Sequence, residues 1–274
     1  MTTTIDHGLL DRKVAELAER YRPLAVQILR EAIRLPDDDT DPAGGLSNHE
    51  GARLRFLRDT IIDIGAVDHA DDVAIDAFGN LVWCVADAYD GVAPEHKKVI
   101  HLDGHSDTVQ ALRPQWLEKF AGALDPYDGL VDGARLDHAA LRAELGHLPP
   151  DDEWQHLVFG RGSADQLAGV VAEILATKIL LELRDDGALR GCIVRAVATV
   201  AEEDNDGGGP RYLTAEVFPT ATPDHIPDVV ILTEGTGDAR KGALGIYRGQ
   251  RGRMQIEVTV TGRSCHGSMP AMGL

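Results

Sequence analysis

The stretch VIHLDGHSDTVQ, Val99–Gln110, decides the fold. A short apolar run, preceded by Lys98, empties into His105, Ser106 and Asp107. Short apolar runs of this kind predict a strand enclosed within its sheet. Its far end is crowded with side chains that bind cations.

Working outward, VAIDAFGNLVWCVA reads as two strands around a Gly79-Asn80 turn. Before them, Val14, Leu17, Tyr21, Leu24, Ile28 and Ile33 recur at helical spacing from Leu9 to Leu35, and Pro36 stops the run. PDDDTDPAGG follows as a loop. Ser47 and Glu50 have the spacing of a capping box for a second helix reaching about Gly65. Beyond the opening stretch, residues 107–159 are rich in Asp, Gly and Pro, which predicts a surface excursion with one short helix near Leu136–Leu145. GRGSAD then opens a strong helix lined by Leu167, Val170, Val171, Ile174, Leu175, Ile179 and Leu180. GCIVRAVATVAEE and DVVILTEG both read as strands buried on two faces. The alternation predicts an α/β fold: a mixed, mostly parallel sheet with helices on both faces. RMQIEVTVTG alternates apolar and polar residues, so an α+β lid domain is expected to begin there, giving domains 1–247 and 248–274.

Composition narrows the function. The chain has 274 residues, 43% of them hydrophobic, and a formal charge of -18. Such a field repels phosphate backbones and anionic lipid, so neither nucleic acid nor membrane is an expected partner. No apolar run approaches the roughly 20 residues of a membrane span, and MTTTIDHGLLDRK has no signal-peptide pattern, which predicts a cytoplasmic protein. Cys84, Cys192 and Cys265 are odd in number and far apart, so reduced and mostly buried thiols are expected rather than disulfides or a thiolate metal site.

Four polar clusters end a predicted strand or open a helix: His105-Ser106-Asp107, Asp165, Glu202-Glu203 and Glu234. In open α/β sheets such clusters converge at the carboxyl ends of the strands. One His with several carboxylates suits zinc or another divalent cation with N/O ligands. Each member also has a bland reading. His105 could be a hydrogen-bonded structural residue, Asp165 a first-turn helix acid and Glu202-Glu203 a solvated strand end. His105 gains from Asp107, whose carboxylate could take the second imidazole N–H. Adjacent glutamates after an apolar run gain from any cation between them. His101 and Asp103 are read as strand residues that pack or hydrogen-bond rather than ligate, and His49, His138 and His156 as surface residues.

In this order GHSDTV, GRGSADQLAG, VAEED, LTEGTG and TGRSCHGSMP resemble the co-catalytic zinc peptidase and deacylase family. That family includes acetylornithine deacetylase, succinyl-diaminopimelate desuccinylase, aminoacylase and carboxypeptidase G. The resemblance runs from about Leu9 to the last residue. It implies two zinc ions per site, with cobalt or manganese as substitutes. His105 and Glu234 would hold one ion, Glu203 the other, and Asp165 would bridge them. Asp107 would support His105, and Glu202 would be the general base for metal-bound hydroxide attacking an amide. His266 would reach a partner subunit's active site and stabilise the oxyanion. The substrate would be a small amide or short peptide, and the assembly a homodimer.

Two departures accompany the match. Gln166-Leu167-Ala168-Gly169 follows Asp165 where relatives carry an MKG-like run, so a local Lys is missing. The family's last zinc ligand, a His near its C-terminus, has no counterpart, because the chain ends inside the expected lid. A truncated member is therefore expected, with an exposed apolar edge and one tight zinc at most. The alternatives are a truncated, inactive protein that retains only binding or assembly, and a one-metal enzyme using His105, Asp165 and Glu234.

Overall fold

Four of five strands run the same way in one sheet, and the exception belongs to a hairpin. In the computed structural model the described residues are 5–36, 51–119, 122, 124–130, 133, 136–145, 148, 150, 152–203, 207–222, 225–235, 237–238, 243–249, 258–259, 261–266, 268 and 271. The Ser47-Glu50 capping box, nearly all of the PDDDTDPAGG loop, His49 and most of the RMQIEVTVTG strand lie outside them.

Helix α1, His7–Ile33, starts where the Asp6 side chain accepts a hydrogen bond from the Leu9 N–H at 3.0 Å. It ends before Pro36, as its spacing predicts. Helix α2 spans Gly51–Asp63. Strands β1, Val73–Ile75, and β2, Leu81–Ala86, flank the Gly79-Asn80 turn. The Asp76 carboxylate accepts from the N–H groups of Phe78, Gly79 and Asn80 and so fixes that turn. Strand β3 is Lys98–His105. Helix α3, Arg113–Lys119, is a feature that composition did not reveal, and α4, His138–Leu145, is the short helix expected near there. Helix α5 covers Leu167–Glu182, β4 Cys192–Thr199, α6 Gly208–Tyr212 and β5 Val229–Leu232.

The sheet order is β1-β2-β4-β3-β5. Strand β3 is enclosed by β4 and β5, parallel to both, with His105 opposite Thr199. Strand β2 is antiparallel to β4, and β1 to β2. Leu81, Trp83 and Val85 alternate towards α5, where the Trp83 indole N–H donates to Thr177 Oγ1 at 3.1 Å. Residues of α1, α2, α5 and the sheet form one core. Leu54, Leu57, Ile61, Leu81, Leu167 and Ile174 are fully buried there, each worth about 1.5–3 kcal/mol of transfer free energy. On the other face the helical run after α6 reaches the sheet through Phe218, whose ring meets His101 edge-on.

Three expectations need correction. Strand β5 is not buried on two faces: Val229, Val230, Ile231 and Leu232 are each about half exposed. The excursion is not all surface, because Leu124, Leu136, Leu141 and Trp154 make a small core of their own. His138 belongs to it, stacked on Trp154 with centroids 4.0 Å apart. Finally, the thiols are free but not buried, Cys84 and Cys192 being half-buried and Cys265 exposed. The chain forms two compact units, Met1–Gly235 and Thr236–Leu274; the boundary expected at 247 falls inside the second, which includes a short antiparallel pair, β6 at Gly237–Asp238 and β7 at Ala243–Leu244.

Candidate metal centre

Because β3, β4 and β5 are parallel, the segments leaving them emerge at one edge of the sheet. His105 is the last residue of β3, with its side chain only 5% exposed. Its backbone N–H donates to Gln166 Oε1. Imidazole Nδ1 lies 3.0 Å from the backbone oxygen of Asp107 and 3.4 Å from that residue's carboxylate. The carbonyl, rather than the carboxylate expected from sequence, is thus the nearer acceptor. Holding Nδ1–H there leaves Nε2 as the nitrogen that could face a cation.

Asp165 lies just before α5, whose N-cap is Gln166, so it is not a first-turn acid of that helix. Its Oδ1 is 2.9 Å from His105 Nε2. The turn that delivers it needs Gly162, where φ is 79° and an added Cβ would stand 2.7 Å from Thr108 Cγ2. The Asp165-Gln166 peptide is cis.

At the end of β4 the chain is pinned from two sides. The N–H of Ser106 donates to Thr199 O at 2.7 Å, and that of Val200 to Asn80 Oδ1 at 3.1 Å. Ala201 then adopts a left-handed φ of 54°, an uncommon conformation for a residue with a Cβ. It turns Glu202 and Glu203 towards the centre. Glu203 N–H donates to Asp107 Oδ2 at 2.7 Å, so Asp107 organises this loop as well as His105. Glu202 Oε2 lies 4.0 Å from His105 Nε2, and Glu234 Oε2 lies 3.8 Å from it.

The charges of the cluster favour a cation. Burial alone would lower the His105 pKa, but the Asp107 hydrogen bond and charge, with Glu202 and Asp165 beyond, raise it to about 9. Burial and then the charge of Asp165 push the carboxyls of Glu203 and Glu234 up. Burial would raise Asp107 too, yet His105 and the backbone N–H groups of Glu203 and Glu202 hold it below the usual range. One imidazole cannot balance this many carboxylates, and a divalent cation can. Ligand atoms of His105, Asp165 and Glu203 lie within 4.8 Å of one another. This N/O donor set fits zinc or a similar ion.

Other predicted residues fall outside the cluster. His101 is buried with neither ring nitrogen hydrogen-bonded, and burial then Arg195 lower its pKa to about 4, so it packs as expected. Burial raises Asp103 to about 6. His156 is exposed. His266 belongs to the second unit, where it is exposed and Nδ1 lies 2.8 Å from Ser268 Oγ. Sequence reasoning missed Gln166, read there only as a departure from a family pattern. It is 3% exposed and, besides accepting from His105, donates to Glu234 Oε2 at 2.8 Å. It also missed Arg53 of α2, buried and donating to the carbonyls of Ala32 and Ser106.

Comparison with known proteins gives a few relatives. No family model matches the chain. The uncharacterized protein YgeY of Escherichia coli is 28% identical over 263 residues, 95% of this chain and 49% of that protein. A Staphylococcus aureus protein named "Probable succinyl-diaminopimelate desuccinylase" is 30% identical over 118 residues, 42% of this chain and 25% of that one. The chain thus spans half the length, or less, of the curated relatives it matches. The di-peptidase Dug1p of Saccharomyces cerevisiae has the same fold, with a TM-score of 0.55 at 14% identity over 81% of this chain and 40% of Dug1p.

Proposed function

Taking the chain as a relative of the co-catalytic zinc peptidases and deacylases, we propose that its first unit supplies the metal-dependent centre of a hydrolase. The bond cleaved is an amide in a short peptide or an N-acyl amino acid. The observation that carries this reading is the meeting of His105, Asp165 and Glu203 from three separate segments. Glu234, close to the same imidazole, is the fourth candidate ligand.

What a divalent cation such as zinc would supply there is Lewis acidity, polarising the scissile carbonyl and lowering the pKa of water. Asp107 keeps the His105 tautomer fixed. Glu202 stands near the donors with its side chain 40% exposed. From there it takes a proton from the attacking water and returns it to the leaving amine, work that requires a carboxylate beside the metal but not on it. His266 is our candidate oxyanion donor, and a homodimer our candidate assembly, both by resemblance. A substrate without phosphate suits the charge of -18.

A one-ion centre is the second reading, because the tight donor set has three members, the number that protein usually contributes to a catalytic zinc. Metal content after dialysis against zinc, combined with a panel of dipeptides and N-acyl amino acids, tests both. We expect one or two ions bound and lost in His105→Asn. Glu202→Gln should keep the metal and lose about 10²–10⁴-fold in turnover. Failure to bind metal, or full turnover by Glu202→Gln, overturns the proposal.

A further inference from the structure

Behind the proposed ligands lies a carboxyl group with no evident reason to be in a core. Glu173 on α5 is 1% exposed, and its Oε2 atom has no hydrogen-bond partner. An apolar residue would fit an interior helix position at lower cost, since a buried polar atom left unpaired forfeits its hydration without return. Its other oxygen, Oε1, accepts a hydrogen bond from Thr233 Oγ1 at 2.8 Å. Thr233 is the residue before Glu234.

The surroundings are shaped to admit this contact. Thr233 sits between β3 and α5, and both elements present a glycine to it. A Cβ on Gly104 would lie 2.9 Å from Thr233 Oγ1 and 3.0 Å from Glu173 Oε1. One on Gly169 would lie 2.5 Å from both Thr233 O and Thr233 Oγ1. Thr233 N–H also donates to Asp103 O at 3.0 Å, continuing the β3–β5 ladder to the very base of Glu234. The strand leading up to it has little else holding it, because β5 pairs with β3 alone among the described residues and is half exposed along its length.

We infer that Glu173 is a positioning residue: through Thr233 it fixes the backbone of Glu234 and so sets where that carboxylate stands relative to His105 and Asp165. The inference rests on the metal-centre reading above and adds a residue outside the predicted motifs. Gln166 restrains the far end of Glu234 through its carboxylate, whereas Glu173 restrains the near end through the main chain. Burial pushes the Glu173 carboxyl well above the ordinary range, so it acts as a neutral acid whose carbonyl oxygen accepts the Thr233 hydroxyl. A glutamine can do the same; a methionine cannot.

The test uses the whole chain and compares wild type with E173Q, E173M and T233V. Zinc affinity is read by competition with a chromophoric chelator, the environment of bound Co2+ by visible absorption, and folding by thermal midpoint. Loss of a group that orients a ligand typically weakens metal binding about 10- to 100-fold, and we expect the lower end for E173M and T233V. Their Co2+ spectra should change while E173M unfolds at or above the wild-type temperature. E173Q should match wild type in affinity and spectrum. If E173M does not fold, the contrast between T233V and E173Q decides. Wild-type affinity in E173M and T233V, or loss of affinity that follows loss of thermal midpoint across all variants, overturns the inference and leaves the metal centre standing. A wild-type chain that binds no metal overturns both.

Discussion

With Nδ1 held by the Asp107 carbonyl, His105 has one nitrogen to offer, and its raised pKa favours a proton there at neutral pH. The raised pKa, about 9 against an ordinary value of 6.5, means that this group's stabilising contribution is full below about pH 6.5 and is lost as pH rises through about 9. A cation held there, as proposed, would have to displace the same proton. Zinc affinity should therefore rise by about tenfold per pH unit between pH 6 and 8, with proton release detectable in buffers of different ionisation enthalpy. Affinity independent of pH would show that His105 does not ligate. Gln166→Leu removes one acceptor from His105 N–H and one donor to Glu234, and should weaken zinc binding about tenfold with the thermal midpoint little changed. The His105-Ser106-Asp107 corner was legible in the sequence because its members are neighbours. Gln166 was not, because its partners are 61 and 68 residues away and a glutamine at a helix start carries no signal of its own.

At the level of elements, period and turn chemistry read well. The β1–β2 hairpin and α5 stand where alternation, Gly79-Asn80 and the apolar stripe put them. Burial was less legible, since the run VVIL looks alike whether a strand has neighbours on both sides or one. Strand β5 has one among the described residues. Arg53 was invisible for a different reason: a single arginine in a polar-looking helix reads as solvent-facing. Instead it ties α2 to the end of α1 at Ala32 and to the segment after β3 at Ser106. Arg53→Met leaves those buried carbonyls short of a donor, and denaturant unfolding should show a loss of about 2–4 kcal/mol. A loss under 1 kcal/mol would mean that water replaces the guanidinium.

At the scale of the molecule, an apolar strand that is half exposed among the described residues coexists with a charge of -18. Repulsion between copies opposes edge-to-edge association, and it fades with salt or as pH approaches the pI near 4.9. Light scattering should rise under both conditions, and Val230→Lys, a charge placed on the exposed edge, should suppress it. Unchanged scattering in that variant would clear β5 of responsibility. The sheet order also has a consequence for synthesis. Strands β2 and β3 follow each other in the chain yet are not neighbours; β4 inserts between them, and it ends at Thr199. A ribosome adding about 5–20 residues per second needs on the order of ten seconds to travel from the end of β3 to the end of β4. For that interval the nascent chain carries two apolar strands whose shared partner does not yet exist, a window in which a chaperone has something to hold.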